Sequence, residues 1–196
     1  MKPFVLESPQ LRLEVPRTAD TGAIFDACQD AVLQEFTTVP VPYTFQDAQM
    51  FVSQIVERGW TTGREYTWGL REPGSSLLVG MVSIRHQHRD IGFWAAAGVR
   101  GRGLMTEAVR LVADWAFADG MPDILWEGYV GNRGSAGVAR RAGFTYVGEG
   151  PGLQPDRDRQ HPPCWKARLA AGDDRGEKAG WPEESMPGGG PEVPAP

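Results

Sequence analysis

Leu11, Leu13 and Val15 alternate with Arg12 and Glu14, which is the period-two pattern of a strand with one buried face. Pro16 closes that strand. From Thr18 onward the period changes, and Ile24, Phe25, Cys28 and Val32 recur at helical spacing. Pro40 and Pro42 then force an extended loop over 37–43. Thr44 caps a second predicted helix over 45–59, with Asp47 as capping-box partner and Gly59 as the stop. Strand patterns follow at 66–71, 77–85 and 90–96, joined by a Pro-Gly-Ser turn and a polar His-Gln-His-Arg turn. Such close spacing predicts an antiparallel meander. Leu104, Ala108, Leu111, Val112 and Trp115 form one stripe of a helix over 104–118, with Gly120 behind it. A strand at 124–130, a short helix over 135–142 with Gly143 at its C′ position, and strands at 144–148 and 164–169 complete the pattern. The order β-α-α-β-β-β-α-β-α-β-β predicts a mixed α/β (α+β) single domain built on one sheet over residues 1–171. Residues 172–196 are mostly Gly, Pro and charge, with Trp181, Met186 and Val193 their only sizeable apolar side chains. Too little apolar surface is available there to offset ordering entropy, so the sequence predicts a disordered tail.

Composition narrows the partners. A net charge of -5 gives no electrostatic reason to expect nucleic acid or a membrane surface. No apolar run reaches the length of a membrane span, and no secretory apolar region follows Met1 and Lys2. Cys28 and Cys164 are far apart in sequence. They read as buried thiols of a cytoplasmic protein, with a single bridge as the alternative. His86 and His88 share one strand face but have no third ligand nearby, so a solvated turn explains them better than a metal. No metal is expected.

The chemistry concentrates between the strand at 90–96 and the helix at 104–118. Arg100-Gly101-Arg102-Gly103-Leu104-Met105-Thr106 has two glycines one residue apart, which lets the backbone turn tightly and approach a ligand. The helix that follows presents unpaired N–H groups at its positive end, a place for phosphate or diphosphate, with Arg100 and Arg102 beside it. A plain strand-to-helix turn remains the alternative. A Walker loop is excluded because no Gly-Lys-Ser/Thr follows. A dinucleotide fingerprint is disfavoured because Thr106 stands where a third glycine would be and the preceding strands form a meander.

The turn resembles motif A of the GCN5-related N-acetyltransferases (GNAT), Arg/Gln-x-x-Gly-x-Gly/Ala, with Met105 replacing its last small residue. A second segment, Gly131-Asn132-Arg133-Gly134-Ser135, then Val138-Ala139 and Ala142-Gly143-Phe144, is similar to the corresponding run of the RimJ/RimL-type branch. Leu11-Arg12-Leu13 and Ile91-Gly92-Phe93-Trp94 fit that branch too, and the resemblance spans about residues 8 to 170. It implies a mainly antiparallel sheet flanked by helices and splayed between its fourth and fifth strands. It also implies acetyl-CoA as cosubstrate and direct transfer of the acetyl group to a primary amine, either a protein N-terminus or a small molecule.

Carried over residue by residue, the resemblance places Phe93, Trp94 and Ala95 along the pantetheine arm, with the Ala95 N–H as oxyanion donor. Gly101, Arg102, Gly103, Leu104, Met105 and Thr106 would wrap the diphosphate, and Asn132 would hydrogen-bond the pantetheine. Glu127 stands where some relatives have a catalytic base, and Ser135 where the branch has a serine that protonates the thiolate. Each has a plainer alternative: Asn132 a turn residue, Glu127 a solvent-facing strand residue, Ser135 a residue that opens the short helix. Cys164 lacks a partner His at helical or hairpin spacing, so a cysteine nucleophile is not expected. The competing functional readings are a non-catalytic acyl-CoA-binding module and a nucleotide-binding domain of another class. Self-association as a homodimer stays open.

Overall fold

The computed structural model describes residues 2–186. Eight strands form one sheet in the order β1-β2-β3-β4-β5-β6-β8-β7. They are β1 (Leu6–Glu7), β2 (Arg12–Glu14), β3 (Glu65–Arg71), β4 (Gly80–Arg85), β5 (Asp90–Ala95), β6 (Asp123–Tyr129), β7 (Thr145–Pro151) and β8 (Pro163–Ala170). Neighbours pair antiparallel except β5 and β6, which run parallel and meet only at Asp90–Leu125. The expected mixed, mainly antiparallel sheet is present, and it opens where the fourth and fifth predicted strands face each other.

Alternation along the strands gives the sheet two faces. Tyr66, Trp68 and Leu70 of β3, Val82 and Ile84 of β4, and Ile124 and Trp126 of β6 are buried on the first face. Two helices cover it, α5 (Leu104–Ala118) and α6 (Arg133–Ala142), together with Trp60 of α4 (Glu57–Thr62). Of the stripe read from the sequence, Leu104, Ala108 and Val112 are buried, while Leu111 and Trp115 are partly buried against the same core. On the second face, Met81 meets Ile24 of α1 (Thr21–Ala27), Leu33 of α2 (Ala31–Phe36) and Ala48 of α3 (Phe45–Met50).

Three expectations need correction. The helix expected from Thr18 breaks into α1 and α2, because Asp30 turns out of the helix and caps Leu33 N–H at 2.9 Å. The helix expected to stop at Gly59 runs on to Thr62 through a π-helical turn, Phe51–Val56. Gly63, at φ 68, is its left-handed cap. Gly59 is a packing glycine instead: a Cβ there would lie 2.5 Å from the Glu65 carbonyl oxygen. Finally, residues 172–186 do not behave as the tail predicted over 172–196. Trp181 is 6% exposed, packs against Trp126 and Tyr146, and donates its indole N–H to the Phe144 carbonyl at 3.3 Å. Arg175 stacks over Phe117 and pairs with Asp114 at 2.8 Å. Average composition conceals one large side chain that finds a slot, and burying it contributes about 3 kcal/mol toward holding the segment against the body. Residues 187–196 of the predicted tail lie outside the described residues.

Candidate active site

The site grows from the opening between β5 and β6. Ala96 donates its N–H to Val79 on the β4 side at 2.9 Å. Amides alternate edges along a strand, so Ala95 and Phe93 direct theirs to the opening. Leu125 N–H bonds Arg89 O at 2.7 Å where the strands still touch, in the same phase. Trp94 therefore directs its amide at β4, and what it brings to the cleft is its indole. Arg100 Nε donates to the Ala95 carbonyl at 3.1 Å while its Nη2 holds Asp30 at 2.6 Å. That bond and the Arg100 charge outweigh partial burial and lower the Asp30 carboxyl.

Beyond β5 the chain makes the Gly-x-Gly turn. Gly101 and Gly103 have φ of 77 and 80, a region closed to most side chains. Gly103 is the N-cap of α5, and the first helical bond runs from Glu107 N–H to its carbonyl at 3.1 Å. The amides of Leu104, Met105 and Thr106 thus precede the first intrahelical acceptor. Thr106 Oγ1 is buried and has no hydrogen-bond partner among the described residues, although Thr106 lines a cleft of about 500 Å³. An orphaned buried hydroxyl costs free energy unless a ligand accepts from or donates to it. The residues present fit a diphosphate.

The same cleft is lined by Phe93, Trp94, Ala95, Arg100, Gly101, Gly103, Leu104, Met105, Thr106, Asn132 and Ser135, which gathers most of the residues singled out in the sequence. Arg102 is not among them. Its guanidinium lies on Glu72 at 2.6 Å on the exposed rim. Its backbone is what it adds to the turn. Asn132 caps α6, its Oδ1 accepting the Ser135 N–H at 3.1 Å. The Ser135 hydroxyl accepts the Trp126 indole N–H at 3.1 Å. Arg133 and Arg141 of α6, and Val32, Leu33 and Phe36 of α2, also line the cleft. Sequence spacing offered no signal for the α2 residues, whose approach depends on the Asp30 cap and its tie to Arg100.

Glu127 does not line this cleft. Consecutive residues of β6 point to opposite faces, so Trp126 reaches Ser135 while Glu127 emerges on the other face. There both carboxylate oxygens accept the Leu153 N–H, at 2.9 and 3.0 Å, and Lys166 Nζ lies 4.0 Å away. Cys164 shares that face, and burial, then the Glu127 charge, push its thiol up to about 11. Cys28 is pushed up to about 11 by burial as well, and both thiols are free. A thiol with so little thiolate at neutral pH is a poor nucleophile. Arg110 and Arg140, basic residues near the cleft in sequence, instead serve the C-terminal segment: Arg110 donates to the Arg141 and Arg175 carbonyls, and Arg140 contacts Glu177 and Met186. No group of three or more metal-ligating side chains occurs among the described residues. No helix among them is long and apolar enough to cross a membrane.

The "Probable N-acetyltransferase YjcK" of Bacillus subtilis (strain 168) is 32% identical over 113 residues, 54% of this chain. The match spans 62% of that relative, less than two thirds of its length. A structure from Vibrio cholerae, to which a ribosomal-protein-serine acetyltransferase activity is ascribed, superposes with a TM-score of 0.77 at 20% identity, covering 87% of this chain and 99% of the other. RimJ of Mycobacterium smegmatis, in complex with CoA-disulfide, gives 0.72 at 19% identity over 86% of this chain and 87% of its own. These likenesses show a shared fold. The sequence model of the acetyltransferase (GNAT) domain matches residues 10–145, more than half of the chain, and the chain belongs to the GNAT acetyltransferase family.

Proposed function

We propose that this chain transfers an acetyl group from acetyl-CoA directly to a primary amine. The observation that carries the reading is the orphaned Thr106 hydroxyl at the N-terminus of α5, beside an opening edged by the Phe93 and Ala95 amides. The α5 amides and Thr106 would hold the diphosphate, Arg133 and Arg141 would face the remaining phosphate, and Asn132 would meet the pantetheine. The Ala95 N–H would steady the oxyanion, a role in which one donor can be worth ~3 kcal/mol. Ser135 lies on the cleft side of the sheet and Glu127 on the other. An amine could thus approach from the Glu127 face while the thiolate departs on the Ser135 face. A protein α-amine is the acceptor that the RimJ/RimL resemblance favours, and the cytoplasm, where thiols stay reduced, is the setting.

Calorimetry with CoA, ATP and NAD tests the binding half: CoA alone should bind. A screen of amines, following release of free CoA, tests the chemistry. CoA binding without turnover on any amine would move the assignment to a silent acyl-CoA module. Thr106→Val separates the site from the fold. The variant should bind CoA about tenfold more weakly, the scale of a lost hydrogen bond to a charged group. Its unliganded melting temperature should hold or rise, since no protein partner is lost. A fall in melting temperature with unchanged affinity would refute the diphosphate assignment.

A further inference from the structure

We propose that Trp126 is a positioning residue for proton transfer to the departing thiolate, holding Ser135 through its indole N–H, and that the segment 172–186 braces it through Trp181. This inference rests on the acetyl-transfer reading above. Trp126 is 2% exposed, and its Nε1–H donates to Ser135 Oγ at 3.1 Å. An indole N–H is a donor only, so it occupies a lone pair of Oγ and leaves the hydroxyl proton to point elsewhere. Among the described residues that hydroxyl donates to no protein acceptor, and Ser135 lines the cleft. A hydrogen bond received by Oγ also favours its deprotonated form, which makes the hydroxyl a better acid.

The indole is held in place from several sides. Gly128, the next residue on the same face of β6, has no side chain to block it: a Cβ there would lie 2.7 Å from Trp126 Cζ2. The Trp181 ring stands 5.6 Å away at 53°, and Trp181 is itself fixed by Tyr146 and the Phe144 carbonyl. A plainer reading treats Ser135 only as the acceptor that a buried indole N–H needs. The two readings differ in whether the bond matters to chemistry.

In the step concerned, the amine lone pair forms the C–N bond as the carbonyl π pair moves to oxygen. On collapse that pair returns, the C–S bond breaks, and sulfur keeps its electrons. The thiolate takes the Ser135 Oγ proton, and Oγ recovers one from the N–H of the newly acylated, positively charged nitrogen, directly or through water. One proton passes from nitrogen to sulfur, and the serine is unchanged.

The test is a double-mutant cycle on the full chain, with acetyl-CoA and an acceptor from the amine screen. Trp126→Phe should lower kcat roughly fivefold and leave the KM for acetyl-CoA and the CoA affinity unchanged. Ser135→Ala should lower kcat about 10²-fold. In the Ser135→Ala background Trp126→Phe should have no further effect on kcat, because the group it positions is gone. Gly128→Ala, which displaces the ring while keeping its N–H, should reproduce the Trp126→Phe loss and remains readable if Trp126→Phe misfolds. Trp181→Ala should show a milder version. Equal losses in both backgrounds, or an unchanged kcat, would overturn the positioning role. Absence of CoA binding in the unaltered protein would instead remove the acetyl-transfer reading itself.

Discussion

Arg71→Ala is expected to destabilise the fold by about 3–5 kcal/mol, measured by urea unfolding. Arg71 is 1% exposed at the end of β3. Its Nη1 and Nη2 donate to both oxygens of Asp20 at 3.0 and 2.7 Å, its Nε to Glu14 at 2.6 Å, and its Nη1 to the Ser76 carbonyl at 2.6 Å. Asp20 is 5% exposed, and with the arginine removed it would remain as a buried charge without its partner. Three separate stretches of chain, β2, the turn before α1 and the loop after β3, meet on this one guanidinium. Arg71→Lys should also fail, because an ammonium lacks the planar fork that bonds two carboxylates at once. The cluster carries an acid dependence. Burial pushes the Glu14 carboxyl up, but the hydrogen bond and charge of Arg71, with Arg17 and Arg12, outweigh it and hold the group below its ordinary value of 4.5. A carboxyl lowered in the folded state contributes stability that is complete above its unfolded value and is lost as pH falls through the folded one. Stability should therefore drop below pH 4.5, and Glu14→Gln should flatten that drop. An Arg71→Ala protein as stable as the parent would show the cluster to be neutral.

Local patterns made α5 legible from end to end, because an apolar stripe, a glycine cap and a strand-terminating turn all agreed on Leu104–Ala118. The meander and its antiparallel pairing were legible for the same reason. What the sequence concealed depends on contacts between distant residues. Arg71 looks like an ordinary charged strand end until Asp20 and Glu14 arrive. Gly59 looks like a stop until Glu65 is packed on it, and Trp181 looks like an isolated residue in a polar tail until Trp126 is beside it. In the candidate site the glycine turn and the placement of Asn132 and Ser135 could be read from motif spacing. The phase of the β5 amides could not, since it follows from which edge Val79 occupies. Nor could the outward turn of Arg102, whose partner Glu72 lies across the rim and thirty residues away in sequence.

Glu127→Gln should lower turnover at pH ~7 by about tenfold for a protein α-amine and by more than about 10³-fold for a lysine-like alkyl amine, the loss growing with the distance of the amine's pKa above the pH, while leaving the melting temperature in place. The amide oxygen can still accept the Leu153 N–H that the carboxylate accepts at 2.9 Å, so only proton acceptance is removed. An ammonium has no lone pair, and without a base the reaction must wait for the fraction of amine that is already neutral. That fraction rises tenfold per pH unit below the amine's own pKa. The Glu127→Gln rate should therefore climb with unit slope and meet the parent rate near the acceptor's pKa. For a protein α-amine the curves should merge at about 8, and for a lysine-like alkyl amine at about 10.4. The crossing point thus reports the class of acceptor as well as the role of the residue. Identical pH profiles for the two proteins would mean that water takes the proton, and that Glu127 serves only to hold the 153 backbone.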